Sequence, residues 1–237
     1  MNQMKLFYNI NLNHNDKELS LFDSEHSHLT KVLRKKVDEV IYVTNGRGYL
    51  FEAMIVQINL KDTKLKVLSS LKKPKMNYSL NVAISPTKKN DRFEWFVEKA
   101  VEIGVSSITP IITTYTERKT LNYSRLNKIA VSAMKQSLQT YLPAINPITD
   151  FKEHLKTNQN SNNYIAHCNQ SDKSHLSKSI EKKSNSNIII GPEGGFKDEE
   201  IKLAMDFNYT PVSLGVNRLR TETAGIVSCQ IFSDFNN

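Results

Sequence analysis

The chain has 237 residues, enough for one large domain or two small ones, with a core in either case. No apolar run approaches the roughly 18 residues of a membrane span. The opening MNQMKLFYNINLNHND lacks the apolar stretch of a secretory signal, so a cytoplasmic location without membrane attachment is expected. The net charge of +8 favours a polyanionic partner, and two distant cysteines, Cys168 and Cys229, make neither a disulfide framework nor a zinc site.

Residues 1–74 read as β structure, with IYVTNG, YLFEAMIVQI and TKLKVLSSL as short, partly alternating strands. Asn45-Gly46-Arg47-Gly48 suits a hairpin turn between two of them. The segment His26–Lys36 places Leu29, Val32 and Leu33 at i, i+3, i+4, predicting a short amphipathic helix with a basic outer face. A small β-barrel with one short helix closes such a unit. Lys72-Lys73-Pro74-Lys75-Met76 is a linker candidate.

Strands and helices alternate beyond it. LNVAIS, SITPIIT, NYIAHC, NIIIG and PVSLG read as strands. RFEWFVEKAVEIG, SRLNKIAVSAMKQSL, DEEIKLAMDF and ETAGIVSCQIF read as helices, with Gly104 ending the first. This order implies a mostly parallel sheet covered by helices on both faces. Residues 156–163 and 169–187, rich in Asn, Ser and Lys, read as loops or exposed turns.

Five of the eight glycines, Gly191, Gly194, Gly195, Gly215 and Gly225, fall in the last quarter of the chain. That concentration suggests backbone that bends tightly or approaches a ligand closely. Gly191-Pro-Glu-Gly-Gly195 and Leu214-Gly215 both sit at strand carboxyl ends, where open α/β sheets bind ligands. The turn lacks the Gly-Lys-[Ser/Thr] ending of a P-loop and is not GxGxxG. Glu193 would repel a pyrophosphate and suits a ribose, an adenine edge or a cationic ligand, while a turn without any ligand stays open. In SLGVNRLRTETAGI, Thr221 is a good helix N-cap and Glu222 complements the dipole of a first turn. Arg218 and Arg220 oppose that dipole and make sense beside an anion or polarised carbonyl.

IIIGPEGGF followed by LGVNRLRTETAGI resembles the RsmE family, the 16S ribosomal RNA uracil-N3 methyltransferases of the SPOUT class. The resemblance extends along the chain. His28–Arg34 is similar to the family's amino-terminal arginine motif, and Lys99–Val105 with Thr109-Pro110 to its helix-to-strand signature. Thr116-Glu-Arg118 is similar to its Glu-Arg loop, and Lys135-Gln-Ser137 with Pro143 to its Glu-Gln-Ser helix end. The chain departs from the pattern at Lys135, where the family often has glutamate, and at Lys35–Glu39, where a glycine-rich turn is common.

The resemblance implies a PUA-like, RNA-binding β-barrel over 1–74 and a SPOUT methyltransferase domain over 75–237 with a deep trefoil knot. It also implies a homodimer, and loops that hold S-adenosylmethionine. The cofactor residues it points to are His167, Ile190, Gly191, Pro192, Glu193, Gly194, Gly195, Leu214, Gly215, Leu219, Thr221, Thr223 and Ala224. The implied reaction is methylation of uracil N3 in 16S rRNA on the small ribosomal subunit. N3 lies on the pairing edge, so the base must be unpaired or flipped out. Loss of the N3 proton spreads charge onto O2 and O4, and a cation aimed there would stabilise it. Arg220 is the first candidate and Arg118 the second. Glu222 would orient an arginine, take the proton, or serve only as a first-turn residue. No metal is required, and the histidines lack ligand spacing. Lys31, Arg34, Lys35, Lys36, Lys88, Lys89 and Arg92 are the expected phosphate contacts. The rival readings are a non-catalytic RNA-binding protein and a SPOUT enzyme acting on transfer RNA or ribose. A nucleotide-binding dehydrogenase lacks its GxGxxG.

Overall fold

The computed structural model describes residues 4–157, 162–169 and 173–236. The backbone divides into two units, residues 1–75 with 131–142, and residues 76–130 with 143–237. The stretch 131–142, expected in the second unit, groups with the first.

The first unit holds β1 (Leu6–Tyr8), β2 (Glu18–Phe22), α1 (Asp23–Ser27), a π-helical turn (His28–Val32), β3 (Val40–Thr44), β4 (Tyr49–Ile58) and β5 (Asp62–Lys72). The strand order is β1-β3-β4-β5-β2, antiparallel except for β1 on β3. Inward side chains of all five strands meet in one core, including Phe7, Leu21, Val43, Phe51, Ile55 and Leu65. Alternating strands whose inner faces share a single core must curl around it. The Asn9 side chain donates to the Ser20 carbonyl at 3.1 Å, linking the two edge strands. The early strands β1 and β2 were not singled out in the sequence reading.

The helix expected over 26–36 differs from the structure. Leu33 N–H donates to the His28 carbonyl at 2.9 Å, an i→i+5 bond. The wider π turn returns to the core at every fourth or fifth residue rather than every third. Leu29 is therefore buried and Leu33 packs against the core, whereas Val32 is 68% exposed. From the 131–142 stretch, the Lys135 ammonium reaches the Glu25 carboxylate at 2.5 Å in a largely buried pair. Glu25 also accepts from Tyr8 N–H at 3.1 Å. This lysine is thus neutralised by a carboxylate next to β1.

The second unit contains β6 (Ser79–Ile84), α2 (Asn90–Ile103), β7 (Ser107–Ile112), α3 (Tyr123–Gln136, which ends in the first unit), β8 (Ala144–Ile145), β9 (Thr149–Asp150) and α4 (Phe151–Thr157). It continues with β10 (Asn162–Ala166), β11 (Ser174–His175), α5 (Leu176–Ser179), β12 (Asn185–Ile190), α6 (Asp198–Asp206), β13 (Thr210–Ser213) and α7 (Thr221–Asn236). The main sheet runs β11-β13-β10-β12-β6-β7-β8, all parallel, with β9 on β7. β12 is buried from Ser186 to Ile190 because its neighbours cover both edges and helices cover the faces. Part of the expected 169–187 loop is β11, α5 and the start of β12, while 158–161 and 170–172 lie outside the described residues.

A row of polar side chains crosses this sheet in register. Asn163 pairs with Asn187, Asn187 with Asn81, and Asn81 with Ser107. Asn81 Nδ2 donates to Asn187 Oδ1 at 2.7 Å, Ser107 Oγ to Asn81 Oδ1 at 2.9 Å, and Asn187 Nδ2 to the Tyr209 hydroxyl at 2.7 Å. Sliding any of these strands by one residue would leave buried amides without partners, so the row holds the strands in line.

Candidate cofactor and RNA site

The in-line strands bring three chain exits together. Ala166 lies opposite both Ile190 and Val212, so β10, β12 and β13 end side by side. His167, Gly191 and Leu214 leave the sheet there, at the carboxyl edge where α/β sheets bind ligands. A cavity of ≈ 570 Å³ opens at this edge, lined by the Ala166–Asn169 exit, the Ile190–Phe196 turn, Arg218–Thr221 and Ala224. A second, of ≈ 410 Å³, shares Ala166, His167, Cys168, Arg218, Leu219 and Ala224 and adds Val212–Asn217 and Lys173.

The turn is built by its own backbone. Gly195 N–H donates to the Pro192 carbonyl at 2.9 Å, closing a β-turn, and Gly195 follows with φ 77°. At Gly191 and Gly194 the room is taken by protein: a Cβ would meet the Phe196 ring at 2.8 Å and Tyr115 at 3.0 Å. Thr221 does not cap α7, although it was expected to. Ala224 N–H donates to the Arg220 carbonyl at 2.8 Å, so α7 begins one residue earlier in its bonding. The Thr221 hydroxyl instead donates to the Gly191 carbonyl at 3.0 Å, a buried bond that ties the two glycine-rich motifs together. Arg218 adds a second tie, to the Glu193 carbonyl at 3.2 Å.

Of the expected cofactor residues, His167, Ile190 to Gly195, Leu219, Thr221 and Ala224 line the first cavity, and Leu214 and Gly215 line the second. Thr223 lines neither. Arg220 lines the first cavity. Arg118 and Glu222 are placed elsewhere. Arg118 donates to the Thr87 carbonyl at 3.2 Å and the Lys88 carbonyl at 2.7 Å, and Lys88 N–H donates to the Glu193 carboxylate at 3.1 Å. Arg118 therefore steadies the loop on which the turn leans. Glu222 is buried in α7 with one oxygen 3.7 Å from Arg92 Nε and the other without a partner among the described residues.

His167 is the polar centre of the site. Burial, and next the Lys173 ammonium, push its pKa down to about 4, with Asp198 opposing. Lys173 and the loop residue Asn169 were missed by the sequence reading, because the 169–187 segment carried no periodic pattern. Among the expected phosphate contacts, Lys35, Lys88 and Arg92 each face a carboxylate, of Glu39, Glu117 and Glu222. Lys31, Arg34, Lys36 and Lys89 are exposed and make no ion pair among the described residues. Arg34 takes a positive φ of 51° just after the π turn. Among the described residues, no helix is long and apolar enough to cross a membrane.

The fold and site define the RNA methyltransferase class. Residues 74–233 match the family model of the RNA methyltransferase domain, and residues 23–68 that of the RNA methyltransferase PUA domain. A ribosomal RNA small subunit methyltransferase E from Rickettsia conorii is 32% identical over 235 residues, spanning 96% of this chain and 94% of its own. A crystal structure from Porphyromonas gingivalis superposes with a TM-score of 0.92 at 34% identity, covering 98% of each chain. The ribosomal RNA small subunit methyltransferase E of Neisseria gonorrhoeae, solved bound to S-adenosyl methionine, gives 0.84 at 26% identity over 99% of this chain and 98% of its own. The chain belongs to the ribosomal RNA small subunit methyltransferase E family.

Proposed function

We propose that this protein methylates N3 of a uridine in 16S rRNA, taking the methyl group from S-adenosylmethionine and acting on the small ribosomal subunit. The observation that carries this reading is the cavity where the Gly191–Gly195 turn and the Arg218–Thr221 segment are bonded to each other at the ends of β10 and β12. Its volume of ≈ 570 Å³ falls within the usual range for small-molecule sites. Its lining fits the cofactor. Ile190, Phe196, Leu219 and Ala224 offer apolar surface for an adenine, the turn offers backbone groups, and Glu193 offers negative charge toward a sulfonium. The gonococcal relative holds S-adenosyl methionine.

S-adenosylmethionine, when bound, supplies an activated methyl group. The chain's part is to align the base and stabilise the charge left when N3 loses its proton. Arg220, on the cavity wall, is assigned to the uracil oxygens. Glu222 with Arg92, and Arg118 with the 87–88 loop, are assigned to holding that wall in place. The same reading includes a homodimer, a trefoil knot and a cytoplasmic location. The dimer draws support from α7, whose Ile226, Val227 and Ile231 remain only half-buried in the single chain.

The test incubates the protein with labelled S-adenosylmethionine and small subunits from cells lacking this activity, followed by mass spectrometry of digested nucleosides. N3-methyluridine is the expected product. Arg220→Ala should lower the turnover rate about 10²–10³-fold, as loss of one charge-stabilising donor does. A different methylated nucleoside would remove the uridine assignment, and no methylation with the cofactor bound would remove the substrate.

A further inference from the structure

His167 leaves β10 at the wall common to both cavities. Its Nδ1 lies 3.4 Å from the Lys173 ammonium, which also donates to the Asn169 carbonyl. An ammonium has donors and no acceptor, so this contact is a hydrogen bond only if Nδ1 accepts. A neutral imidazole that accepts at Nδ1 carries its proton on Nε2. That Nε2 is buried and has no hydrogen-bond partner among the described residues. Buried polar groups are nearly always satisfied, and an unpartnered N–H on a residue that lines both cavities points to a ligand.

We propose that Lys173 fixes His167 as the Nε2–H tautomer, and that this N–H donates to an oxygen of S-adenosylmethionine, a ribose hydroxyl or the carboxylate. The inference rests on the cofactor reading above and adds the group that orients the ligand. His167 is the binding residue and Lys173 a positioning residue acting through it. The charges around the imidazole are consistent. Lys173 faces it from its own loop and Asp198 from the start of α6, while Glu193, Arg218 and Arg220 stand on the first cavity's other walls. Burial and Lys173 outweigh Asp198 and keep the ring neutral.

The full chain, labelled with ¹⁵N-histidine, tests this by two-bond ¹⁵N–¹H NMR, with His167→Asn identifying the signal. The expected result is the Nε2–H tautomer from pH 6 to 8, with that proton shifting on saturation with S-adenosylmethionine. Lys173→Met should move the population toward Nδ1–H, which a merely structural lysine would not do. 5′-Methylthioadenosine, which lacks the carboxylate, separates the two acceptors: a shift with both ligands marks the ribose, and a shift with S-adenosylmethionine alone marks the carboxylate. Calorimetry supplies the second readout. His167→Gln, which keeps an N–H near Nε2, should bind nearly as wild type, and His167→Phe about tenfold more weakly. An imidazolium or Nδ1–H form at pH 7, or a saturated complex with an unshifted Nε2–H, overturns the proposal while leaving the cofactor reading intact. No calorimetric binding to the wild type would remove both.

Discussion

His154 in α4 shows what burial does to a titrating group. It is 2% exposed, and desolvation pushes its pKa down to about 4, only partly offset by its contact with Asn187. In the unfolded chain the imidazole takes up its proton near the ordinary value of 6.5, but in the folded chain not until about pH 4. Above pH 6.5 both states are neutral and the group is silent. Between the two values the unfolded state binds more protons, so stability falls as pH falls. The full effect for His154 is about 3 kcal/mol. Urea unfolding at pH 7, 5.5 and 4.5 should show the loss, and His154→Gln should flatten it. An unchanged pH slope in the variant would rule this out. His167 acts in the same direction and window.

Among the elements, α7 is the most demanding. It packs against α2, and Gly225 faces that contact with no room for a side chain. A Cβ there would lie 2.5 Å from Phe96 Cε2 and 3.0 Å from Ile84 Cδ1. Neither neighbour can retreat, since Phe96 and Ile84 are both fully buried. Gly225→Ala adds helix propensity of about 1 kcal/mol, yet the overpacking costs about 1–3 kcal/mol. The net expectation is a lower urea midpoint with an unchanged m-value. A higher midpoint would mean that the α2–α7 contact yields. The glycines of the last quarter thus divide by cause: Gly195 and Gly215 adopt positive φ, whereas Gly225 makes room for a ring.

For the whole molecule, the +8 charge matters through where it is free. Binding to ribosomal RNA should weaken as salt rises, by about 0.7 in the log–log slope for each single-strand phosphate contact. Replacing Lys31, Arg34 or Lys89 with Ala should each reduce the slope by about that amount. Replacing Lys35 or Lys88, whose charge is shared with Glu39 and Glu117, should change it less. Filter binding across a salt series measures both. Equal slopes for the two groups would mean that the ion pairs open on binding.

The sequence by itself determined the strand–helix alternation, the β-rich first unit and the two motifs that line the cavity. These are local properties: periodicity and turn chemistry act over a few neighbouring residues, and the Gly191–Gly195 turn and the Arg218–Ala224 segment each carry their pattern intact. Only the tertiary structure decided which side chains meet. Asn81, Asn163 and Asn187 are unremarkable in the sequence and form a row only once β6, β10 and β12 are set in register. The partners of Arg118 and Glu222, the 87–88 loop and Arg92, lie far away along the chain and could not be read from their motifs. Lys173 acquires a role only because the end of β10 brings His167 beside it. The physical reason is common to all of them: a polar group's partner is chosen by the packing that excludes water around it, and that packing is made by segments distant in sequence.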